Sequence, residues 1–115
     1  MMTFVDRQIV AVDFPNIPWT TWKKPGAEGR VKLLNTQGKR FRILELPPGF
    51  DEESWCDRGH DGYVIEGEFM TIFEDGGTAS CKPGMAFCIP DGVAHRSKGS
   101  TTSKTVVVVV DEENK

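Results

Sequence analysis

Glycine and proline recur at short intervals along almost the whole chain, and this spacing limits what the chain can fold into. Pro15, Pro18 and Pro25 exclude a long helix near the N-terminus. From residue 30 onward, no segment keeps a helical period over three turns. Residues 68–74 instead alternate between two faces and lead into the hairpin turn Asp75-Gly76-Gly77. We therefore predict eight to ten short strands, the pattern of a β-sandwich or β-barrel.

The predicted strands lie between these glycine and proline positions. Residues 26–29 are predicted as a loop between an N-terminal arm and the first strand of the main sheet. Residues 105–110 are almost entirely β-branched, which favours a strand buried on both sides. The predicted strands are residues 7–13, 30–34, 40–46, 54–57, 62–65, 68–74, 78–82, 85–89, 93–97 and 105–110.

Length and charge bound the class of protein. At 115 residues the chain is long enough for one domain with a single core. The formal net charge of −3 gives no electrostatic reason to expect binding to nucleic acid. We divide the chain into an N-terminal strand and arm (residues 1–25), expected at a dimer interface, a barrel (residues 26–110) and a polar tail (residues 111–115).

The location follows from what the sequence lacks. Asp6 and Arg7 interrupt the start of the chain, so residues 1–12 do not read as a signal peptide. The longest apolar run, residues 106–110, is too short to span a bilayer. The three cysteines are an odd set without zinc-finger spacing, which indicates free thiols in a reducing compartment. We expect a cytoplasmic protein that does not interact with membranes.

A turn near the C-terminal third carries the most specific motif. Gly84 opens a short apolar run, Pro90 and Gly92 force a tight turn, and His95 follows at the start of the next strand. This spacing, G-x5-P-x-G-x2-H, resembles the second sequence motif of the cupins. The terminal Asn of that motif would fall on Gly99, where the sequence departs from it.

An upstream patch resembles the first cupin motif in a degraded form. When positions are counted back from Gly67, His60 occupies the usual Glu position, Cys56 the second His and Ser54 the first His. We prefer this count, because a strand that runs into a tight turn tolerates no slip in register.

A second count remains open. Counting forward from Gly49 assigns the motif to Trp55, Asp57 and either Asp61 or Gly62. The loop that follows Gly49 tolerates insertions, so this anchor is weaker. The usual cupin set of three His and one Glu, which favours Fe, Mn or Ni, is absent here.

The resemblance covers roughly residues 39–110 and implies a cupin jelly-roll β-barrel with little or no helix. In cupins the inward residues of both motifs converge on one metal, so the resemblance implies that Cys56, His60 and His95 meet. A thiolate and two imidazoles suit Zn²⁺ best by ligand type. Fe, Mn or Ni remains an alternative, and no metal is expected if the first motif is truly degraded.

Several other residues are candidates for the pocket. Arg42 would meet an anionic ligand if its face points inward, and an outward, solvated arginine is the alternative. Tyr63 is more simply explained as a ring packed on the sheet surface. Trp19 and Trp22 are expected to cover an open sheet side or a partner subunit rather than a ligand. The remaining candidates for the pocket are Ser54, Phe41, Phe73 and Phe87.

Three functions remain open on the sequence alone. The first is a metal-dependent enzyme acting on a small molecule, for which Glu53, Asp57 and Tyr63 are the nearest acid–base candidates. The second is a metal-free barrel that binds or senses a small molecule without catalysis. The third is a barrel whose pocket is filled by side chains and which is kept for a partner interface. The apolar, proline-interrupted arm up to Trp22 further predicts a homodimer.

Overall fold

The structure is a computed structural model that describes residues 11–113. Within this range a single 3-10 turn at Phe14–Asn16 precedes nine strands, and no helix is long and apolar enough to cross a membrane. The strand expected at residues 7–13 lies mostly outside the described residues, and residues 11–13 are not in a strand. The strands are β1 (Thr20–Lys24), β2 (Ala27–Thr36), β3 (Lys39–Leu46), β4 (His60–Glu66), β5 (Phe69–Phe73), β6 (Thr78–Cys81), β7 (Ala86–Ile89), β8 (His95–Lys98) and β9 (Thr105–Glu112).

The strands form two antiparallel sheets. The larger has six strands in the order β1-β2-β3-β9-β4-β7, and the smaller has three in the order β6-β5-β8. Buried apolar side chains from both sheets make one core, including Leu46, Val64 and Val107 from the larger sheet and Phe69 from the smaller. The all-β class and the two-sheet layout agree with the predicted jelly roll.

Strand β9 is central to the larger sheet. It pairs with β3 on one side and with β4 on the other. Thr105, Val107 and Val109 are buried, whereas the residues between them are half-buried, as the two-residue period of a strand requires. The strand also runs on through Glu112, so Asp111 is buried in the sheet rather than part of a polar tail.

The arm predicted before residue 26 contains a strand. β1 pairs with β2 as a hairpin, and Gly26 takes the positive φ of 79° that the turn requires. Ala27–Gly29, predicted as a loop, therefore begin β2. The error arose because Trp22 and its lysine neighbours show no clear alternation in sequence, whereas pairing with β2 holds them extended.

The segment predicted as a strand at residues 54–57 makes a single bridge instead. Cys56 pairs with His95, and Asp51 makes a second isolated bridge with Lys98. These bridges fasten the loop between β3 and β4 along the outer edge of β8. The loop is thereby held against the interior of the sheet pair.

Candidate functional site

A cavity of about 220 Å³ lies between the two sheets. Cys56, His60 and His95, the three residues selected from the sequence motifs, all line it. Trp22 also lines it and stacks on Phe50 with ring centroids 5.6 Å apart, rather than covering an outer surface. The volume is below the roughly 300–1,000 Å³ of common ligand pockets, so the cavity suits a small ligand.

Cys56 and His95 are neighbours through their backbones. The amide of Cys56 donates to the carbonyl of His95, and the amide of His95 donates to the carbonyl of Cys56, each over 2.8 Å. Directly opposed residues of an antiparallel pair project their side chains to the same face. The pairing therefore places the thiol and the imidazole side by side on the cavity wall.

The imidazole of His95 has a fixed tautomer. Its side chain is buried, and Nδ1 lies 2.7 Å from the carbonyl oxygen of Val93. A carbonyl oxygen only accepts, so Nδ1 carries a proton, and in the neutral ring Nε2 keeps its lone pair. Nε2 is buried without a hydrogen-bond partner within residues 11–113, so it is a free acceptor.

His60 comes from the start of β4 and meets His95 across the cavity. The two ring centroids are 5.0 Å apart and the planes are inclined by 67°. Burial is the largest cause, followed by the electrostatic influence of His95 and Arg42, and together they lower the pKa of His60 to about 4. His60 is therefore a neutral imidazole at pH 7.

Phe87 packs beside the imidazoles and fills part of the interior. Its ring lies edge-on to His60 at 6.0 Å between centroids and stacks on Phe69 at 5.1 Å. It also covers Gly62, where an added Cβ would lie 2.2 Å from the ring. Glycine at this position therefore leaves room for the ring, which packs against the core and, contrary to the sequence prediction, does not line the cavity.

Three arginines that line the cavity surround one carboxylate, that of Asp111. Arg40 donates from Nε to Oδ1 of Asp111 over 2.7 Å, and its second contact is with Oδ2. Arg42 and Arg58 approach the same Oδ2 at 3.5 Å and 3.4 Å. Burial raises the pKa of Asp111, but the hydrogen bond from Arg40 and the three positive charges outweigh it and hold the pKa below its ordinary value.

Glu52 is the acidic residue of the cavity that the sequence did not single out. It is 3% exposed, and Ser54 donates a hydrogen bond from Oγ to its Oε1 over 3.4 Å. Burial raises the pKa of Glu52 above its ordinary value. Its neighbour Glu53, chosen from the sequence, is exposed and points toward Gly26 instead. Successive side chains of an extended segment point to opposite faces. If the face of one residue in this segment had been known, the sequence would have predicted that Glu52 is buried and Glu53 exposed.

The other sequence candidates are spread around the barrel. Arg42 lines the cavity, whereas Phe41, its neighbour on β3, falls on the opposite face of the strand. Tyr63 is 49% exposed and does not line the cavity, which agrees with the expectation that its ring lies on the sheet surface. Phe73 lies opposite His95 in the register of β5 and β8 but does not line the cavity. Ser54 reaches it only through Glu52.

The residues present do not make a preformed metal centre. Within residues 11–113, no three His, Cys, Asp or Glu side chains are grouped so that they could hold a metal ion. The guanidinium groups of Arg40, Arg42 and Arg58 also line the cavity and oppose a divalent cation. The chemistry available from the described residues is therefore that of two imidazoles, a buried carboxyl group and guanidinium donors.

Comparison with known proteins places the fold. No protein-family model matches the sequence, and no curated protein matches it either. Solved structures do match. One is a polyketide cyclase from Streptomyces resistomycificus, with a TM-score of 0.73 and 21% identity over 90% of this chain and 78% of that one.

Two further solved structures match over nine-tenths of this chain. A sugar phosphate isomerase from a cupin superfamily, from Silicibacter pomeroyi, has a TM-score of 0.71 and 16% identity over 91% of this chain and 76% of that one. The Fe(II) form of HppE has a TM-score of 0.74 and 11% identity over 91% of this chain and 61% of that one. The chain therefore has the fold of a small cupin domain, and some structures with this fold hold iron.

Proposed function

We propose that this protein binds a small molecule in the cavity between its sheets, that His95 and Glu52 move protons on that molecule, and that His60 tunes His95. The observation that carries the proposal is the pair of imidazole rings 5.0 Å apart, both lining one cavity. A neutral imidazole is the side chain best suited to accept a proton near pH 7.

His95 is the proton acceptor. Its Nε2 has a free lone pair, and its Nδ1–H is already held by the carbonyl oxygen of Val93. When Nε2 takes a proton from the bound molecule, that hydrogen bond stabilises the imidazolium and keeps the ring in place. No reorientation of the ring is needed.

Glu52 is the proton donor, and His60 tunes the pair. Burial makes the carboxyl group of Glu52 hold its proton to higher pH, which suits a general acid. His60 stays neutral beside His95, so it adds no positive charge that would weaken His95 as a base. A cyclase and an isomerase are among the similar structures; their identities of 21% and 16% support the fold, and the reaction class is our proposal.

A divalent metal, Zn²⁺ by ligand type, is the second candidate. One observation favours it: His95 donates from Nδ1 to a backbone carbonyl and leaves Nε2 without a partner among the described residues, and metal-ligating histidines commonly make this hydrogen bond with the ring nitrogen that does not bind the metal. Two observations count against a metal. No three potential ligands are grouped within residues 11–113, and the positive charges of Arg40, Arg42 and Arg58 in the cavity repel a divalent cation. We therefore rank it below proton transfer without a metal.

We further propose a cytoplasmic homodimer. The cysteines of the described chain, Cys56, Cys81 and Cys88, are free, as a reducing compartment favours. The dimer proposal rests on the apolar, proline-interrupted residues that precede β1.

The function is tested by a thermal-shift screen of a metabolite collection. Compounds that raise the melting temperature of the wild type should do so less in His60→Gln and His95→Gln, and equally in Cys88→Ser, whose side chain is exposed outside the cavity. Hits are then incubated in D₂O, where the wild type should exchange an acidic C–H for deuterium and His95→Gln should not.

The outcomes separate the functions. Exchange that depends on His95 supports proton transfer. Binding without exchange leaves a cupin that binds or senses its ligand without catalysis. A collection in which nothing binds contradicts the proposal.

A further inference from the structure

The cavity carries more positive charge than its own residues neutralise. Arg40, Arg42 and Arg58 share the single carboxylate of Asp111, which leaves an excess of two positive charges in the arginine cluster formed by these three residues. Lys24 and Glu52 also line the cavity, and Glu52 offsets the charge of Lys24 only when its carboxyl group is ionised. Burial raises the pKa of Glu52, which further reduces its capacity to balance the cluster.

The cluster also has unused hydrogen-bond donors. Nε of Arg42 and Nε of Arg58 are buried with no hydrogen-bond partner within residues 11–113. Arg58 Nε lies 3.4 Å from Oδ2 of Asp111 but not in hydrogen-bond geometry. A buried donor without an acceptor is unfavourable, and in native proteins such a group calls for an explanation such as a bound water, an ion or a functional role.

Arg42 shows what this burial does to a cation. Its side chain is 12% exposed. Burial, followed by repulsion from Arg40, lowers the pKa of Arg42 to about 10. A ligand oxyanion beside Arg42 would offset both effects, since it supplies an opposite charge and an acceptor at once.

The wall that faces the cluster has the opposite polarity. Nε2 of His95 is a buried acceptor without a partner in the part of the chain described. The cavity therefore offers guanidinium donors on one side and a free imidazole lone pair on the other. This arrangement fits a small molecule with an anionic group at one end and a hydroxyl or other proton donor at the other.

We infer that the arginine cluster is a subsite for the oxyanion of the bound molecule, a carboxylate or a phosphate ester, held by the unpaired Nε–H groups of Arg42 and Arg58. This inference rests on the proposed function, because it assumes that the ligand occupies the same cavity. It adds the ligand's chemical class and its orientation, with the reacting hydroxyl or C–H toward His95.

The test is an NMR titration of the arginine Nε–Hε signals of the full-length protein. The oxyanion probes are acetate and inorganic phosphate, and the neutral probes are acetamide and glycerol, all at constant ionic strength with potassium chloride. The variants are Arg58→Gln and the charge-preserving Arg42→Lys. The matched control is Arg30→Gln, because Arg30 is ion-paired with Glu45 outside the cavity.

We expect acetate or phosphate to shift the Arg42 and Arg58 signals saturably and to leave the Arg30 signal unmoved. Each variant should bind the oxyanion about tenfold or more weakly, the loss of one charge-assisted hydrogen bond. The tighter of the two oxyanions identifies a carboxylate or a phosphate ligand. Arg58→Gln serves alone if Arg42→Lys fails to fold, since Arg58 is the more exposed of the two.

Three results would overturn the inference. They are no shift with either oxyanion, equal shifts with acetamide, and equal shifts at Arg30. If glycerol or acetamide nonetheless perturbs the imidazole signals of His60 and His95, the cavity binds small molecules and the proposed function stands without the anion subsite. If no probe perturbs the imidazole signals and no compound of the metabolite collection binds, the anion subsite and the proposed function are both contradicted.

Discussion

Cys56 and His95 are joined by a reciprocal pair of backbone hydrogen bonds, each 2.8 Å long. This bridge ties the loop before β4 to the first residue of β8. It sets the thiol beside the imidazole without any direct bond between the side chains. The consequence is that His95 is positioned by main chain on both sides, through this bridge and through the carbonyl of Val93.

The depressed pKa of His60 makes stability depend on pH. The unfolded chain binds a proton at His60 below about pH 6.5, whereas the folded protein binds it only below about 4. The unfolded state therefore holds more protons in this window, so the free energy of unfolding falls as pH drops from 6.5 to 4, by about 3 kcal/mol. Urea unfolding at several pH values should show this slope, and His60→Gln should flatten it. An unchanged slope in the variant would assign the effect to other groups.

Asp111 should be essential for stability because it is the carboxylate shared by three arginines. Asp111→Asn leaves Arg40, Arg42 and Arg58 without it, and we expect a loss of about 3–5 kcal/mol in the free energy of unfolding. The matched control is Glu45→Gln, which breaks a half-exposed ion pair with Arg30 and should cost about 1 kcal/mol or less. Denaturant unfolding measures both. Equal losses of stability in Asp111→Asn and Glu45→Gln would mean that repulsion among the three arginines does not destabilise the fold when Asp111 is neutral.

Gly62 is required by the ring that covers it. Gly62→Ala places a methyl group where the ring of Phe87 lies, and we expect a loss of about 1–3 kcal/mol from overpacking. The double variant Gly62→Ala/Phe87→Leu should recover part of this loss, since a smaller side chain vacates the space. Thermal denaturation measures both variants. An additive effect in the double variant would show that the two residues do not compete for the same volume.

Metal content discriminates the two candidate functions. Elemental analysis of untagged protein should find no stoichiometric Zn, Fe, Mn or Ni, because no three ligands are grouped within residues 11–113. Cys56→Ser and His95→Ala are analysed beside it. Stoichiometric metal in the wild type that is lost in either variant would reverse the ranking and make the metal centre the better proposal.

The dimer proposal is tested by truncation. Deletion of residues 1–19 removes the apolar, proline-interrupted residues that precede β1 and keeps β1 itself (Thr20–Lys24). Light scattering should find a dimer for the full chain and a monomer for the truncated one. A full-length monomer would contradict the proposal.

The sequence by itself determined the strands and the residues of the two motifs. Alternation and turn residues act over a few positions, so β3, β5 and β9 were found near their observed bounds. The turn before β8 is equally local, and it led to His95. β1 was missed because its extended form depends on pairing with β2 rather than on its own pattern.

Tertiary structure decided which side chains share the cavity. Arg42 and Phe41 are adjacent in sequence, yet only packing of β3 between its neighbours sends Arg42 inward. Asp111 and Arg58 come from distant segments, and no local pattern brings them together. The charge and the unpaired donors of the cavity therefore exist only once the sheets have closed, because electrostatic interactions depend on distance in space and burial, not on separation along the chain.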